Sequence, residues 1–303
     1  MCDAVPEREA AALERESMAP SDVMARRLYC QHLFFTFISR MFDFAIVFLV
    51  AEISDNNLFV IAINGLVSTI VLFLFMSPIG SLLDSMNRLK VLEITLLSKV
   101  IAVSSAYGIC GYCYQAGVNA TSNKLILSVL PIVCSFATLS FNTISQAVEK
   151  DWIVVLADGS SNWLATTNAR LSQIDLLCKS LAPAVTGLLF YSLSTSAVTV
   201  TLLALNTTSA AFLYAFMRSI YDSNPSLARR AEKALIIGDT IAGSRAFYSD
   251  FFSSGCAGVM VSYTCLYLTV LSFGSVMTVY LRFAGIDDHW IGTTLLVYIC
   301  THL

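Results

Sequence analysis

Charge is scarce in this chain. Only 13% of its 303 residues are acidic or basic, 56% are hydrophobic, and mean hydropathy is +0.72. A water-soluble domain with one buried core does not carry so little charge, so the sequence reads as an integral membrane protein. Histidine is scarcer still: His32, His289 and His302 are scattered, which argues against a histidine-rich metalloenzyme site. The nine cysteines lie mostly inside apolar runs, where a free thiol packs as a small hydrophobe. No G-x-x-x-x-G-K-[ST], H-E-x-x-H or G-x-S-x-G pattern occurs, which excludes ATP hydrolysis and the familiar protease and esterase chemistries. Any transport would run on gradients.

The first 26 residues are polar and acidic. They lack the apolar core of a signal peptide and the acid-poor character of a transit peptide, so a short cytosolic tail over 1–27 is expected. Apolar runs long enough to cross a hydrocarbon layer of ~30 Å then follow one another. Spans are expected near 28–53, 58–82, 91–116, 124–148, 164–192, 196–220 and 252–281, with an eighth starting near 290. The chain stops inside that run, as an incomplete second bundle would.

Basic residues set the orientation. With the amino terminus in the cytosol, Arg26, Arg27, Arg88, Lys90, Lys150, Arg218, Arg229, Arg230, Lys233 and Arg245 fall on the cytosolic side, and only Lys124 and Arg282 on the other. This places Asn119, which heads an N-A-T sequon, outside as a glycosylation candidate, while Asn206 heads an N-T-T sequon that is out of reach in mid-span. The polar break over 222–250 is the longest, and it divides a six-helix bundle over 28–221 from the start of a second over 251–303. A single seven-helix bundle of the receptor type is the alternative.

Several charges remain in the spans. Arg40 and Asp43 stand three apart, Asp175 and Lys179 four apart, and Lys99 and Glu93 lie on the third span. Spacings of three or four put each pair on one helix face. Such residues either neutralise one another in bundle assembly or line a polar cavity. At the second-to-third turn, "GSLLDSMNRLK" holds Asp84 and Arg88, which either tie neighbouring helix ends or form a solvated positive loop. Cys110 and Cys113, in "CGYC", read as helix packing or an incidental outer disulfide.

The stretch "EKDWIVVLADGSSNWLATTNARLSQIDLLCKSLAPAVTGLLF", with "RMFDFAIVFLVAEI", "NRLKV" and "LYLTVLSFGSVMTVYL", closely resembles ferroportin, the iron exporter family designated solute carrier family 40, in its plant-type branch. The resemblance runs from about residue 28 to about 292. It implies an all-α polytopic membrane protein with a major facilitator fold of twelve helices in two halves. This chain would supply the amino-terminal six and the first one or two of the second half, and the activity implied is export of Fe2+ by alternating access. No resident cofactor and no nucleic acid is implied; the bilayer and the transported divalent metal are the partners.

The same resemblance implies a cytosolic gate at Asp84, Arg88, Asp151, Asn168 and Asp175. Ser172 and Gln173 stand where the family has a further gate arginine, with Arg170 nearby. The metal positions depart more. Ser39 and Asp43 stand where vertebrate members place an aspartate and a histidine, and Ser275 replaces a cysteine ligand that also engages hepcidin, so hepcidin control is not expected. Asp43 is either a metal ligand or the structural partner of Arg40. An oxygen-rich site of this kind favours soft, late metals less than imidazole and thiolate do.

Lys99 departs further. The family's cation site uses an amide there, acids at the positions of Ser39 and Leu213, and an asparagine matching Asn206. With both acids gone, Lys99 reads as a built-in cation, a proton-carrying lysine, or a snorkelling side chain. The alternative role for the chain is a truncated, non-transporting form that pairs with or regulates a full-length homologue. The plasma membrane is the expected location, with a vacuolar or other internal membrane as the alternative.

Overall fold

The computed structural model describes residues 22–54, 57–116, 121–228 and, beyond these, 246, 249–267, 277, 280–282, 284–287 and 290–291. Its helices are α1 (Asp22–Ile53), α2 (Leu58–Ser85), α3 (Arg88–Ala116), α4 (Thr121–Gln146), a π-helical segment (Ala147–Trp152), α5 (Ile153–Ala157), α6 (Ser161–Ser192), α7 (Thr195–Ser223), α8 (Pro225–Ala228) and α9 (Cys256–Tyr267). Six stretches of this set are long and apolar enough to cross a membrane, as the polar breaks in the sequence predict. Helices are the form such runs must take, because hydrocarbon offers backbone groups no partners.

Short caps punctuate the spans. Asn57 accepts from the Phe59 N–H at 3.0 Å, Ser160 from Trp163 at 3.3 Å and Ser194 from Ala197 at 3.4 Å, each occupying a donor that the first turn leaves unpaired. Between α5 and α6 the chain reverses through Asp158 at φ 43° and Gly159 at φ 86°, a left-handed pair that Asp tolerates and Gly adopts freely.

α1 runs through the middle of the bundle. It packs on α6 and α7, while α4 packs on α2 and α3, and α3 on α7. Phe42 meets Tyr107 and Phe141, both at 5.6 Å between ring centroids, and Phe35 meets Phe141 at 5.9 Å, so three helices share one aromatic core. α2 differs: Phe59, Leu66, Ile70, Phe73 and Leu74 are exposed, the pattern of a helix that is apolar all round.

The fourth span runs further than the sequence suggests. The span was expected to end near 148, with Lys150 on the cytosolic side; the helix instead passes through the π-helical segment and α5 to Ala157. The segment after α7 also starts as structure, because α8 buries Leu227 against the bundle. Of the expected seventh span, α9 and parts of 277–282 are described; Asn119, Ser275, His289 and His302 lie outside the described residues.

Candidate functional site

Polar side chains in an apolar bundle collect where they can serve one another. On α1, His32, Thr36, Ser39, Arg40 and Asp43 recur at intervals of three or four and make one polar stripe. Opposite it, α4 offers Thr138, Asn142 and Ser145, and α6 offers Asp175. Together with Phe35 and Phe141, these residues other than His32 enclose a cleft of about 100 Å³. Ser39 and Asp43 both line this cavity, and Asn206 does not.

Asp43 carries the site's clearest charge. Arg40 Nη1 stands 3.6 Å from its Oδ2, close enough for attraction but too long for a hydrogen bond, and both side chains keep partial exposure. Arg40 Nε is buried with no hydrogen-bond partner. The guanidinium is therefore held by charge alone. The oxygen donors within the cleft are the carboxylates of Asp43 and Asp175, the hydroxyls of Ser39, Thr36, Thr138 and Ser145, and the Asn142 amide, a hard set suited to a divalent cation. No group of three His, Cys, Asp or Glu side chains converges on a single point among the described residues.

Asn206 and Lys99 lie elsewhere. Both are buried away from the cleft, and neither side-chain heteroatom of Asn206 has a hydrogen-bond partner among the described residues. Lys99 is fully enclosed. Its Nζ lies 3.4 Å from Ser209 Oγ and over the rings of Phe35 at 5.9 Å and Phe141 at 5.2 Å. Since these two rings also wall the cleft, the Lys99 side chain sits directly behind it.

The expected gate residues divide into three groups. Arg88 grips Asp151 with both arms, Nε to Oδ2 at 2.8 Å and Nη2 to Oδ1 at 3.0 Å, and donates from Nη1 to the Leu227 carbonyl at 3.1 Å. This bidentate clamp joins α3, the π-helical segment and α8 at one end of the bundle. Asp175 also lines the cleft. Its expected pairing with Lys179 is replaced by His32, whose Nε2 lies 3.3 Å from Asp175 Oδ1. Asp84, at the end of α2, and Asn168, on α6, are exposed, as is Arg170, which donates to Gln173 at 3.3 Å.

Two features were missed from sequence. One is His32, set aside as a scattered histidine, with Glu149 close to its other nitrogen at 3.9 Å; the polar stripe on α1 was the signal that could have found it. The second lies at the far end of α1. Arg282 pairs with Glu52, donates to the Phe48 carbonyl at 3.1 Å and lies 5.3 Å from the Phe48 ring centroid. Phe44, Phe48 and Ile291 are buried there, with Phe190 and Leu281 packed against them. Cys110 and Cys113 are buried free thiols rather than a disulfide.

The ferroportin family model, described as Ferroportin1 (FPN1), matches residues 22–301. Among curated relatives, solute carrier family 40 member 1 of Arabidopsis thaliana is 24% identical, over 88% of this chain and 59% of its own length. The rice protein of the same name is 26% identical over 88% and 60%. Human ferroportin is 28% identical over 67% and 37%. The chain spans about three fifths of the length of the plant relatives. Crystal structures of bacterial homologues share its fold. A bacterial homologue of the iron transporter ferroportin, inward-facing, superposes with a TM-score of 0.75 at 19% identity, covering 93% of this chain and 66% of that one. The outward-facing form with soaked iron gives 0.69 at 21% identity, covering 91% and 65%. The fold is of the major facilitator type, all-helical and multi-pass, in a family of transporters and not of enzymes. This chain belongs to the ferroportin family.

Proposed function

We propose that the chain provides the amino-terminal half of an alternating-access exporter of Fe2+ or a related divalent metal, Co2+, Ni2+ or Mn2+, together with the start of its second half. The observation that carries this reading is the cleft in which Asp43 faces Ser39, Asn142 and Ser145 within a ferroportin-family bundle. A carboxylate bordered by hydroxyls and an amide offers oxygen ligands without imidazole or thiolate, so it discriminates weakly among these metals. Ser275, in the second bundle, would complete the path. In the role proposed for it, the Arg88 and Asp151 clamp closes the cytosolic end, with Asp84, Asn168 and Asp175 as the remaining gate residues. Lys99 serves as a tethered cation that fills the need for a bound one, beside the Ser209 hydroxyl and the Phe141 ring.

The cluster of Arg26, Arg27, Arg88 and Lys90 supports a cytosolic amino terminus, with Asn119 on the outer side as a glycosylation candidate. The plasma membrane is the proposed location and the bilayer the only obligatory partner; hepcidin is not proposed as a ligand.

The test is efflux of labelled Fe2+ and Co2+ by this chain in metal-sensitive cells, beside Asp43→Ala, with arrival at the membrane measured for both. Efflux that depends on Asp43 supports the exporter. No efflux from a chain that reaches the membrane favours the alternative, a form that pairs with or regulates a full-length homologue.

A further inference from the structure

We infer that His32 is a positioning residue: it couples the polar cleft to the Arg88–Asp151 clamp through the π-helical segment. The imidazole is buried, 2% exposed, and its two nitrogens face carboxylates on two different elements. Nδ1 lies 3.9 Å from Glu149 Oε1 on the π-helical segment, and Nε2 lies 3.3 Å from Asp175 Oδ1 on α6. The Glu149 contact is an electrostatic approach rather than a hydrogen bond, and the Asp175 contact is closer. One imidazole on α1 thus lies between two other elements.

The node reaches the cleft on three sides. Thr36 Oγ1 is 3.4 Å from His32 Nε2, Ser145 donates to Glu149, and Asp175 takes the ring; Thr36, Ser145 and Asp175 all line the cleft. It also reaches the clamp. Asp151 lies two residues beyond Glu149 on the same segment, and side chains two apart on a helix point to different sides. Glu149 is therefore drawn toward α1 while Asp151 is drawn toward α3, and the segment is strapped from both sides. A widened π turn within an α-helical run is where such segments shift register, and it commonly marks a functional position.

A cation entering the cleft competes for Ser145 and Asp175 oxygens, leaves His32 with fewer partners and slackens its hold on Glu149. That change passes along two residues of the π-helical segment to Asp151. The coupling depends on contacts already made, while its use in transport rests on the cleft being the metal's path as proposed above.

Hydrogen–deuterium exchange of the full chain in lipid nanodiscs tests this, with Co2+ as the probe cation. His32→Gln and Glu149→Gln, the latter nearly isosteric, are expected to speed exchange about tenfold over 147–157 and across the clamp over 88–92, a factor within the usual range of coupling between sites. Combining His32→Gln with Arg88→Gln should add nothing beyond the larger single effect, as for two members of one network. A merely structural histidine would give changes confined to α1 and α6, or additive effects in the double variant, and either result overturns the inference. Co2+ should alter exchange over 147–157 in the wild type and leave His32→Gln unchanged. If Co2+ alters nothing in the wild type, the metal path is wrong; the variants still decide the coupling.

Discussion

Lys99 Nζ lies 5.2 Å from the centre of the Phe141 ring, and Phe141 is itself a wall of the cleft that holds Asp43. The ammonium has a hydroxyl and two aromatic faces for company, and no carboxylate pairs with it among the described residues. Such a charge is costly to bury, so its retention points to a role in the bundle. Lys99→Gln is expected to lower efflux several-fold and to reduce stability by about 1–2 kcal/mol, the range of a desolvated cation–π contact. Efflux and thermal unfolding that both match the wild type would remove the tethered-cation role.

The clamp gives a sharper test of geometry. Lysine keeps the charge of Arg88 but cannot make two parallel bonds to Asp151 and a third to the Leu227 carbonyl. Arg88→Lys should cost about 1.5–3 kcal/mol, the worth of a charged hydrogen bond lost at a site where Arg88 is buried and Asp151 only partly so. Chemical denaturation of the purified chain reads this. A double-variant cycle with Asp151→Asn should show strong coupling; independent effects would mean that the two residues merely lie close.

Much of this was legible in advance, and the parts that were not share one cause. The spans announce themselves because apolar runs separated by polar breaks have few other uses. The fourth span was ended near 148 because Lys150 reads as a cytosolic charge. The helix continues, and Glu149 and Asp151 meet His32 and Arg88, which are distant in sequence. Asp175 was matched with Lys179 by helical spacing, yet the partner it takes is His32 on another helix. Spacing reports which residues share a face. It does not report what the facing helix brings.

Arg282 illustrates the same point at the other end of α1. Its position on the side opposite the main basic cluster was readable, its partner Glu52 was not. The pair, with Phe48 and Ile291, joins the far end of α1 to the segment that carries Arg282, and a role in closing that end is testable. Arg282→Gln should open it. Labelling of a Ser39→Cys variant by an impermeant maleimide added outside should rise several-fold with Arg282→Gln and return toward baseline when Glu52→Arg is combined with Arg282→Glu. Equal labelling in all three would show that the pair does not govern access.

Whether Asp43 is a ligand or only the partner of Arg40 comes down to what happens when the arginine's charge is removed. If Asp43 is structural, Arg40→Gln leaves an uncompensated carboxylate, and both stability and efflux should fall together. If Asp43 takes the metal, Arg40 is a competitor held at 3.6 Å by charge alone, and removing it should strengthen metal binding. A partly exposed pair is worth no more than about 1 kcal/mol, so the half-saturating Co2+ concentration should drop by roughly fivefold in Arg40→Gln. The maximal rate should fall at the same time, because a metal held more tightly leaves more slowly. Asp43→Asn must abolish the tightening when combined with Arg40→Gln. A lower half-saturation with a slower maximal rate marks Asp43 as the ligand, whereas an unchanged half-saturation with lost stability marks the pair as scaffolding.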